Sequence, residues 1–521
     1  MHDGSCNQSV EQGVWLSDSE VWRRLARFYQ DEGPNAWHAR IPYHVTSNPH
    51  IAAGYVDLIQ AFLDDWIVAH GAIDGTVHVV ELGSGHGVFT GHMLQALAEA
   101  EEDFNAIGVR VHYIASDLAQ SNVAGWQQNP VLSAALDAGW ASFARFDCLA
   151  DADPSMLFGA QDWPSGAGAA PCIFIANYLF DTLPQDIFLL REDETLRATV
   201  RFGQAGNSDT LDPERFELSF DFRPYVDSDL PPAVSRRVAD YRQAGLRGHV
   251  VVPTGALACV ERLRMLSDDR MLLVCSDKAL STEHALRERS LIEVGSFVSA
   301  SMLVNMHAIG RHVEEQGGVS LLQSTQQSTL ATAAWLIGLS RPQSRRSART
   351  FARQLDAASP GDVYGLVNAM LPHRFNMDVA ALLSLLKLTD WDAAVFEGMY
   401  DALLSRLGEA MPAVSADLLA ALPRIASNRN RLPGAPDTLF RIAHLCQHLQ
   451  RWDEAATLYQ HSMAERGESA EAHYNLALCH LGAGDAAKAR DAFERAAALN
   501  PDMLMAQGWL HRLEAGCSRP A

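Results

Sequence analysis

The stretch Val77-His78-Val79-Val80-Glu81-Leu82-Gly83-Ser84-Gly85-His86-Gly87 constrains the fold more than any other part of the chain. An apolar run ends in an acid, glycine then occupies every second position, and helix-patterned residues follow. That order predicts a buried β-strand, a tight turn and a helix whose first amides face a ligand. Glycine suits such a turn because a Cβ would obstruct both the positive φ and the close approach of backbone to ligand. The spacing is Gly-x-Gly-x-Gly, not the Gly-x-Gly-x-x-Gly of dinucleotide folds. It favours S-adenosylmethionine, which has no pyrophosphate to cradle, over NAD or FAD. Glu81, Gly83, Gly85 and Gly87 are the candidate cofactor residues of this segment.

Around the turn, residues 77–190 alternate apolar runs (77–82, 109–116, 172–176) with helical stretches, as parallel strands with crossover helices do. Upstream, 15–70 reads as helical with breaks at Gly33-Pro34 and near Pro42 and Pro49; residues 1–14 read as a flexible tail. Residues 191–260 change to apolar–polar alternation, as in Ala198-Thr199-Val200-Arg201-Phe202, which predicts an antiparallel insertion. Met271-Leu272-Leu273-Val274 resumes the sheet, and 302–340 adds a helix and a last apolar segment. One α/β domain is therefore expected over 15–340. Residues 341–365, opening with the basic Arg341-Pro342-Gln343-Ser344-Arg345-Arg346-Ser347-Ala348-Arg349, read as a linker. A solvated hinge is preferred there to a docking patch for an acidic partner.

Beyond the linker the pattern is helical. After a helical region at 366–430, the segments Pro436–Gly467 and Ala470 onward superpose with a period of about 34 residues, the tetratricopeptide spacing. Leu476, Ala477, Gly484, Ala489, Phe493, Ala496 and Pro501 in the second unit, and Ile442, Ala443, Ala455 and Tyr459 in the first, fall where large and small residues must alternate. Leu504–Glu514 would cap the stack, so repeats are expected over 436–521. The expected fold class is thus an α/β, Rossmann-like domain with an antiparallel insertion, followed by an all-α repeat domain.

With 521 residues the chain exceeds one ordinary core. Its net charge of −22 argues against a general nucleic-acid binder, which needs a basic face to release counterions. Eight scattered cysteines without a Cys-x-x-Cys pair suit reduced thiols and a cytoplasmic location. The polar N-terminus lacks the regions of a signal peptide. No apolar run approaches the roughly 20 residues that span a bilayer, and no membrane association is expected.

Three further sites carry chemistry. Asp117 ends the second strand, where an acid accepts hydrogen bonds from two ribose hydroxyls; capping the next helix is the competing role. Asp147, in Phe146-Asp147-Cys148, would accept from the adenine amine or serve merely as a turn residue. In Ile175-Ala176-Asn177-Tyr178-Leu179-Phe180-Asp181-Thr182-Leu183-Pro184, Asn177 leaves a buried strand at the sheet's carboxyl edge. It would orient cofactor or acceptor, and Asp181 would hold a cationic acceptor group; the competing roles are a helix cap for Asn177 and a first-turn charge favoured by the helix dipole for Asp181. Histidines 44, 50, 86 and 92 lack zinc-motif spacing, and no metal is expected.

These motifs together resemble the MidA family of S-adenosylmethionine-dependent methyltransferases, over roughly residues 20–340. Arg40–Pro49 is similar to the family's segment that closes over the cofactor, and Leu118-Ala119-Gln120-Ser121-Asn122 to the one after its second-strand acid. Val304–His307 through Gln323–Gln327 resembles its late helix and strand. The resemblance implies a class I methyltransferase fold; the family's mitochondrial members methylate an arginine on a subunit of respiratory complex I and are needed for its assembly. Three departures stand out: Asp117 replaces a usual Glu, Asn177-Tyr178 replaces Asn-Glu, and Cys275-Ser276-Asp277 replaces Asp-Tyr-Gly.

Methyl transfer from a sulfonium is an in-line displacement in which positioning is worth ~7–11 kcal/mol. A guanidinium acceptor needs a carboxylate partner and a base, for which Asp181 and Asp186 are the candidates. The leading expectation is a protein methyltransferase whose repeats recruit the protein partner. The alternatives are a non-catalytic S-adenosylmethionine-binding assembly factor, and a small-molecule methyltransferase whose repeats serve self-association as a homodimer.

Overall fold

The computed structural model describes residues 13–33, 45–150, 153, 155–158, 170–203, 217–288, 302–324, 330–429, 431 and 435–514. It divides into two compact units between Asp362 and Val363. The strands of the first unit are β1 Val14–Trp15, β2 Thr76–Leu82, β3 Arg110–Asp117, β4 Ala141–Arg145, β5 Cys172–Ile175, β6 Asp186–Leu190, β7 Thr195–Gly203, β8 Glu217–Arg223, β9 Gly248–Val252, β10 Met271–Leu280, β11 Val304–Asn305, β12 Val319–Leu322 and β13 Leu330–Ile337. Its first three long helices are α1 Glu20–Glu32, α2 Pro49–His70 and α3 Val88–Glu99.

The central sheet has the order β12-β13-β10-β5-β2-β3-β4, with β11 beside β10. The five strands from β10 to β4 are parallel, whereas β13 runs antiparallel to both β10 and β12. From β2 the chain winds outward to β3 and β4, then returns to the other side of β2 for β5 and β10. The order therefore reverses at β2 and β5, and open α/β sheets bind ligands outside the carboxyl ends of the strands at such a reversal.

Strand alternation fills both faces. Val77 and Val79 join the core built with α2 and α3, while Val80 and Leu82 point into the other core. A sheet buried on both sides favours apolar residues on both faces, and β2 is buried throughout from Val77 to Leu82, with His78 and Glu81 as its buried polar exceptions. The helix α2 is covered almost all round; Asn48 caps it by accepting a hydrogen bond from Ile51 N at 3.0 Å.

The expected insertion forms a second sheet, β1-β7-β6-β9 with β8 on β7, every pairing antiparallel. It opens at Asp186, before the expected 191, and takes in Val14–Trp15 from the N-terminal segment. The 302–340 region contains two short strands after its helix, not one apolar segment, because β12 and β13 form a hairpin at the sheet edge.

Residues 341–365 are not a solvated hinge. Arg345–Phe351 is a helix continued by a π-helical turn at Ala352–Asp356, and it lies along α2. The buried Ser347 donates both its amide and its hydroxyl to Asp65 Oδ2, each at 2.9 Å. A Cβ added at Gly54 would stand 2.9 Å from Leu355 Cδ2. Ser347, Phe351 and Leu355 are spaced by four, and this face packs while the arginines between them point to solvent.

In the second unit, helices Thr438–His448 and Trp452–Arg466 make one antiparallel pair and Ala470–Gly482 and Ala486–Leu499 the next, with Leu504–Glu514 at the end. Ile442, Ala443, Ala455 and Tyr459 are buried, as are Leu476, Ala477, Ala489, Phe493 and Ala496. Between helices, Gln450 and Gly484 both adopt positive φ, 58° and 87°. Helices Val379–Leu388 and Ala393–Arg406 are joined through a turn one residue longer, with two left-handed residues, Asp390 and Trp391. Gly482 marks where the second repeat meets the first: its Cβ would fall 2.4 Å from the Trp452 ring.

Candidate functional site

A cavity of about 340 Å³ opens at the reversal point of the central sheet. Its floor is the turn after β2, with Glu81, Gly83, Ser84, Gly85 and His86; Asp117 and Asp147 stand on one side, Asn177, Tyr178 and Asp181 on the other. Helix α1 forms a wall with Trp22, Leu25 and Tyr29, and Thr46 and Ser47 lie just before α2. The predicted residues therefore converge on one space, Gly87 and Asp186 excepted. Residues 40–44 and 325–327, parts of two expected motifs, lie outside the described residues.

The glycine turn does two kinds of work. Gly83, Gly85 and Gly87 all have positive φ, 69°, 55° and 81°, which L-residues with a Cβ rarely adopt. Beside Gly83 a Cβ would meet only Leu179 Cδ1, at 3.4 Å. At Gly87 it would lie 2.7 Å from Leu132 Cδ1 and 2.9 Å from Trp126 Cδ1. Gly87 thus permits packing against the helices that follow β3 and does not line the cavity, a correction to its expected role as a cofactor contact.

Asp117 is held by two backbone amides. Its Oδ2 accepts from Gly85 N at 2.9 Å and its Oδ1 from Ala119 N at 2.8 Å. Burial raises its pKa, opposed by the amides of Ala119, Gly85 and Leu118 and by the Asn122 side chain. Glu81 is more committed: its Oε2 accepts from Thr90 Oγ1 at 2.5 Å and Tyr113 Oη at 2.8 Å, and burial raises its pKa too. Asp147 turns the chain after β4, its Oδ1 accepting from Leu149 N at 2.8 Å and Ala150 N at 3.1 Å.

Asn177 is a strut. Its Oδ1 accepts from Tyr55 Oη at 2.7 Å and Ser276 N at 2.9 Å, and its Nδ2 donates to Thr46 O at 3.2 Å. The amide therefore ties together β5, β10, α2 and the segment before α2, so its effect on a ligand is one of positioning. Tyr55 Oη also lies 2.9 Å from Ser276 Oγ, which is 2.7 Å from Thr332 Oγ1. Tyr178 follows with φ 48°, a strained conformation for a residue with a side chain, held by its amide bond to Ser276 O at 3.0 Å.

Asp181 faces the cavity on the turn Phe180–Thr182. That turn is pinned by Asp277, whose Oδ2 accepts from Phe180 N at 2.9 Å and Asp181 N at 3.2 Å, while Oδ1 accepts from Lys278 N at 2.7 Å. Burial first, and then the Asp181 charge, push the Asp277 pKa well above the carboxyl range. Burial, followed by the carboxylates Asp181, Asp277 and Asp117, keeps the Tyr29 phenol protonated. Asp186, by contrast, is not available as a base. It lies wholly buried outside the cavity, bound by Arg197 through Nε at 3.0 Å and Nη2 at 3.1 Å and by Thr254 Oγ1 at 2.8 Å.

Sequence reasoning missed Tyr29 and Tyr55, and singled out Ser276 and Asp277 only as a departure from the family pattern, without a role. For the last two a signal existed: Ser276-Asp277 breaks an otherwise apolar strand at the height of the Asn177 turn. For the two tyrosines none did, since each is one aromatic among many on a helix.

Residues 58–277 match the family model described as "Putative S-adenosyl-L-methionine-dependent methyltransferase", and residues 435–502 match a tetratricopeptide-repeat model. No curated protein matches the sequence. Similar solved structures include a "likely methyl transferase from Burkholderia thailandensis bound to S-adenosyl-homocysteine", at 14% identity and TM-score 0.38, covering 64% of this chain and 95% of that one. The magnesium protoporphyrin IX methyltransferase of Synechocystis PCC 6803 is similar at 11% identity and TM-score 0.28, covering 61% and 97%. MamA (41-end) of Desulfovibrio magneticus RS-1 is similar at 16% identity and TM-score 0.25, covering 30% and 88%. The chain joins an α/β Rossmann-like S-adenosylmethionine-dependent methyltransferase fold to a tetratricopeptide region, and S-adenosylmethionine is the cofactor of that fold.

Proposed function

We propose that the chain methylates a protein, at an arginine side chain, and that its tetratricopeptide repeats recruit that protein. The observation that carries this reading is the carboxylate Asp181 on the cavity wall, opposite the cofactor acid Asp117 and held in place by the buried Asp277. An acidic residue at the acceptor end of a largely buried cavity selects a cationic group. Among cationic side chains, a planar guanidinium pairs with a carboxylate in two parallel hydrogen bonds, and helical repeats supply the extended surfaces that bind proteins. Localisation in the cytoplasm, and self-association as a homodimer, are part of the same proposal.

When bound, S-adenosylmethionine supplies an electrophilic methyl on its sulfonium. Asp117 accepts from the ribose hydroxyls, and Asp147 stands on the same side for the adenine. The Gly83–Gly85 backbone leaves room for the amino-acid portion. Asp181 pairs with the guanidinium and receives the proton that the nucleophilic nitrogen gives up. Tyr29 and Tyr178, kept as phenols by burial and by neighbouring carboxylates, present apolar ring faces that exclude water from this end.

Incubating a cell lysate with methyl-tritiated S-adenosylmethionine tests the reading. Wild-type protein should label a discrete protein band at methylarginine, and Asp181→Asn should not, while still binding S-adenosylhomocysteine. Label confined to small molecules, or equal labelling by Asp181→Asn, overturns it.

A further inference from the structure

Two imidazoles converge on the solvent-facing side of the first tetratricopeptide helix. His444 and His448 are one turn apart on Thr438–His448 and so share a face. Their Nε2 atoms stand 3.3 Å from each other. On the other edge of the His444 ring, Nδ1 is 2.6 Å from Tyr400 Oη, on helix Ala393–Arg406. His444 is half-buried and His448 exposed. We propose that His444 and His448 form a chelating site for a divalent first-row transition metal, with zinc as the reference ion.

The bite distance supports this. Two nitrogens bound at 2.0–2.1 Å to a tetrahedral ion must lie roughly 3.3–3.4 Å apart, so the pair meets the requirement with no movement of the backbone. Histidines four apart on a helix are also the pair that holds zinc in the His-Glu-x-x-His arrangement. Tyr400 adds the outer contact: a metal-binding imidazole uses its second nitrogen in a hydrogen bond that fixes ring orientation and tautomer. The metal takes the place of hydrogen between the two Nε2 atoms, and His444 then carries its proton on Nδ1, donated to the Tyr400 oxygen.

Imidazole ligation suits zinc, nickel and copper and not magnesium or calcium. Among the described residues no group of three or more His, Cys, Asp or Glu is arranged to hold an ion. The site is therefore bidentate, with water in the remaining positions.

Calorimetric titration of the full chain, freed of metal and bearing no histidine tag, with zinc chloride tests the proposal. Wild type should bind one equivalent more than His448→Ala and than His444→Gln. Tyr400→Phe should weaken that equivalent about tenfold, and His461→Ala, an exposed histidine of the same repeat, should leave it unchanged. Copper(II) bound at the site should show two nitrogen ligands by electron paramagnetic resonance, one in His448→Ala. Equal zinc binding by wild type and His448→Ala, with both folded by circular dichroism, overturns the proposal, as does the absence of zinc binding by wild type.

Discussion

Substituting Asp277→Asn probes how the acceptor side of the cavity is held. The wild-type carboxylate, wholly buried, accepts two amides on Oδ2 and one on Oδ1. An asparagine of the same shape keeps one carbonyl oxygen. Turned to serve Phe180 and Asp181, it presents its NH2 to the Lys278 amide, donor against donor. One buried amide is then unsatisfied, at a cost of about 1–3 kcal/mol, partly offset because a buried charge is removed. The expected net loss is about 1–2 kcal/mol, a factor of roughly 5–30 in the folded-to-unfolded ratio. Unfolding should be followed through the first unit's own signal, since a chain of two units need not unfold in one step. The pH dependence supplies an independent check. A carboxyl whose folded pKa is raised binds more protons folded than unfolded, so its contribution to stability declines as pH rises from about 4. Glu81, Asp117 and Asp277 all carry this sign; the variant should lose the Asp277 share and show a shallower decline. Loosening the Phe180–Thr182 turn should also slow label transfer by more than it weakens S-adenosylhomocysteine binding. Unchanged stability, an unchanged pH slope and wild-type transfer would together refute the assigned role.

Other substitutions separate packing from binding. Gly87→Ala combines a left-handed backbone, about 1–2 kcal/mol, with overpacking on Trp126 and Leu132, about 1–3 kcal/mol; thermal unfolding of the first unit should register a loss of about 2–4 kcal/mol. Gly482→Ala should destabilise the repeats by about 1–3 kcal/mol through the Trp452 clash yet leave S-adenosylhomocysteine affinity unaltered, checked by proteolysis and calorimetry in parallel. Tyr55→Phe should cost about 1 kcal/mol of stability and slow transfer by freeing one side of Asn177, measured at saturating cofactor.

What could be read from the sequence follows from physical locality. The strand–turn–helix at 77–99 was legible because a doubly buried strand favours apolar residues on both faces and its turn must be glycine. The repeats were legible because each helix pair imposes the same small-residue positions on the next. β4 was not: Ala141-Ser142-Phe143-Ala144-Arg145 carries too few apolar residues for a strand whose two faces are partly covered by helices. The helix at 345–351 was read as a linker because its basic, serine-containing composition outweighed the three spaced positions Ser347, Phe351 and Leu355 that pack. Asn177 lines the cavity, but its partners Tyr55 and Ser276 lie 122 and 99 residues away, and only the fold could show that its amide is already engaged. Asp186 was misread for the same reason, since Arg197 reaches it across a strand pair that the sequence left unassigned.

The central claim is a division of labour across one cavity, with Asp117 holding the cofactor and Asp181 serving the acceptor. Calorimetric binding of S-adenosylhomocysteine to wild type, Asp117→Ala and Asp181→Asn tests it most directly. Wild type should bind one equivalent. Asp117→Ala, which loses two ribose hydrogen bonds to a charged group at about 1.5–3 kcal/mol each, should bind at least tenfold more weakly. Asp181→Asn should stay within about threefold of wild type, below the cost of one neutral hydrogen bond. Undiminished binding by Asp117→Ala, or a loss in Asp181→Asn as large as that expected of Asp117→Ala, would contradict the account.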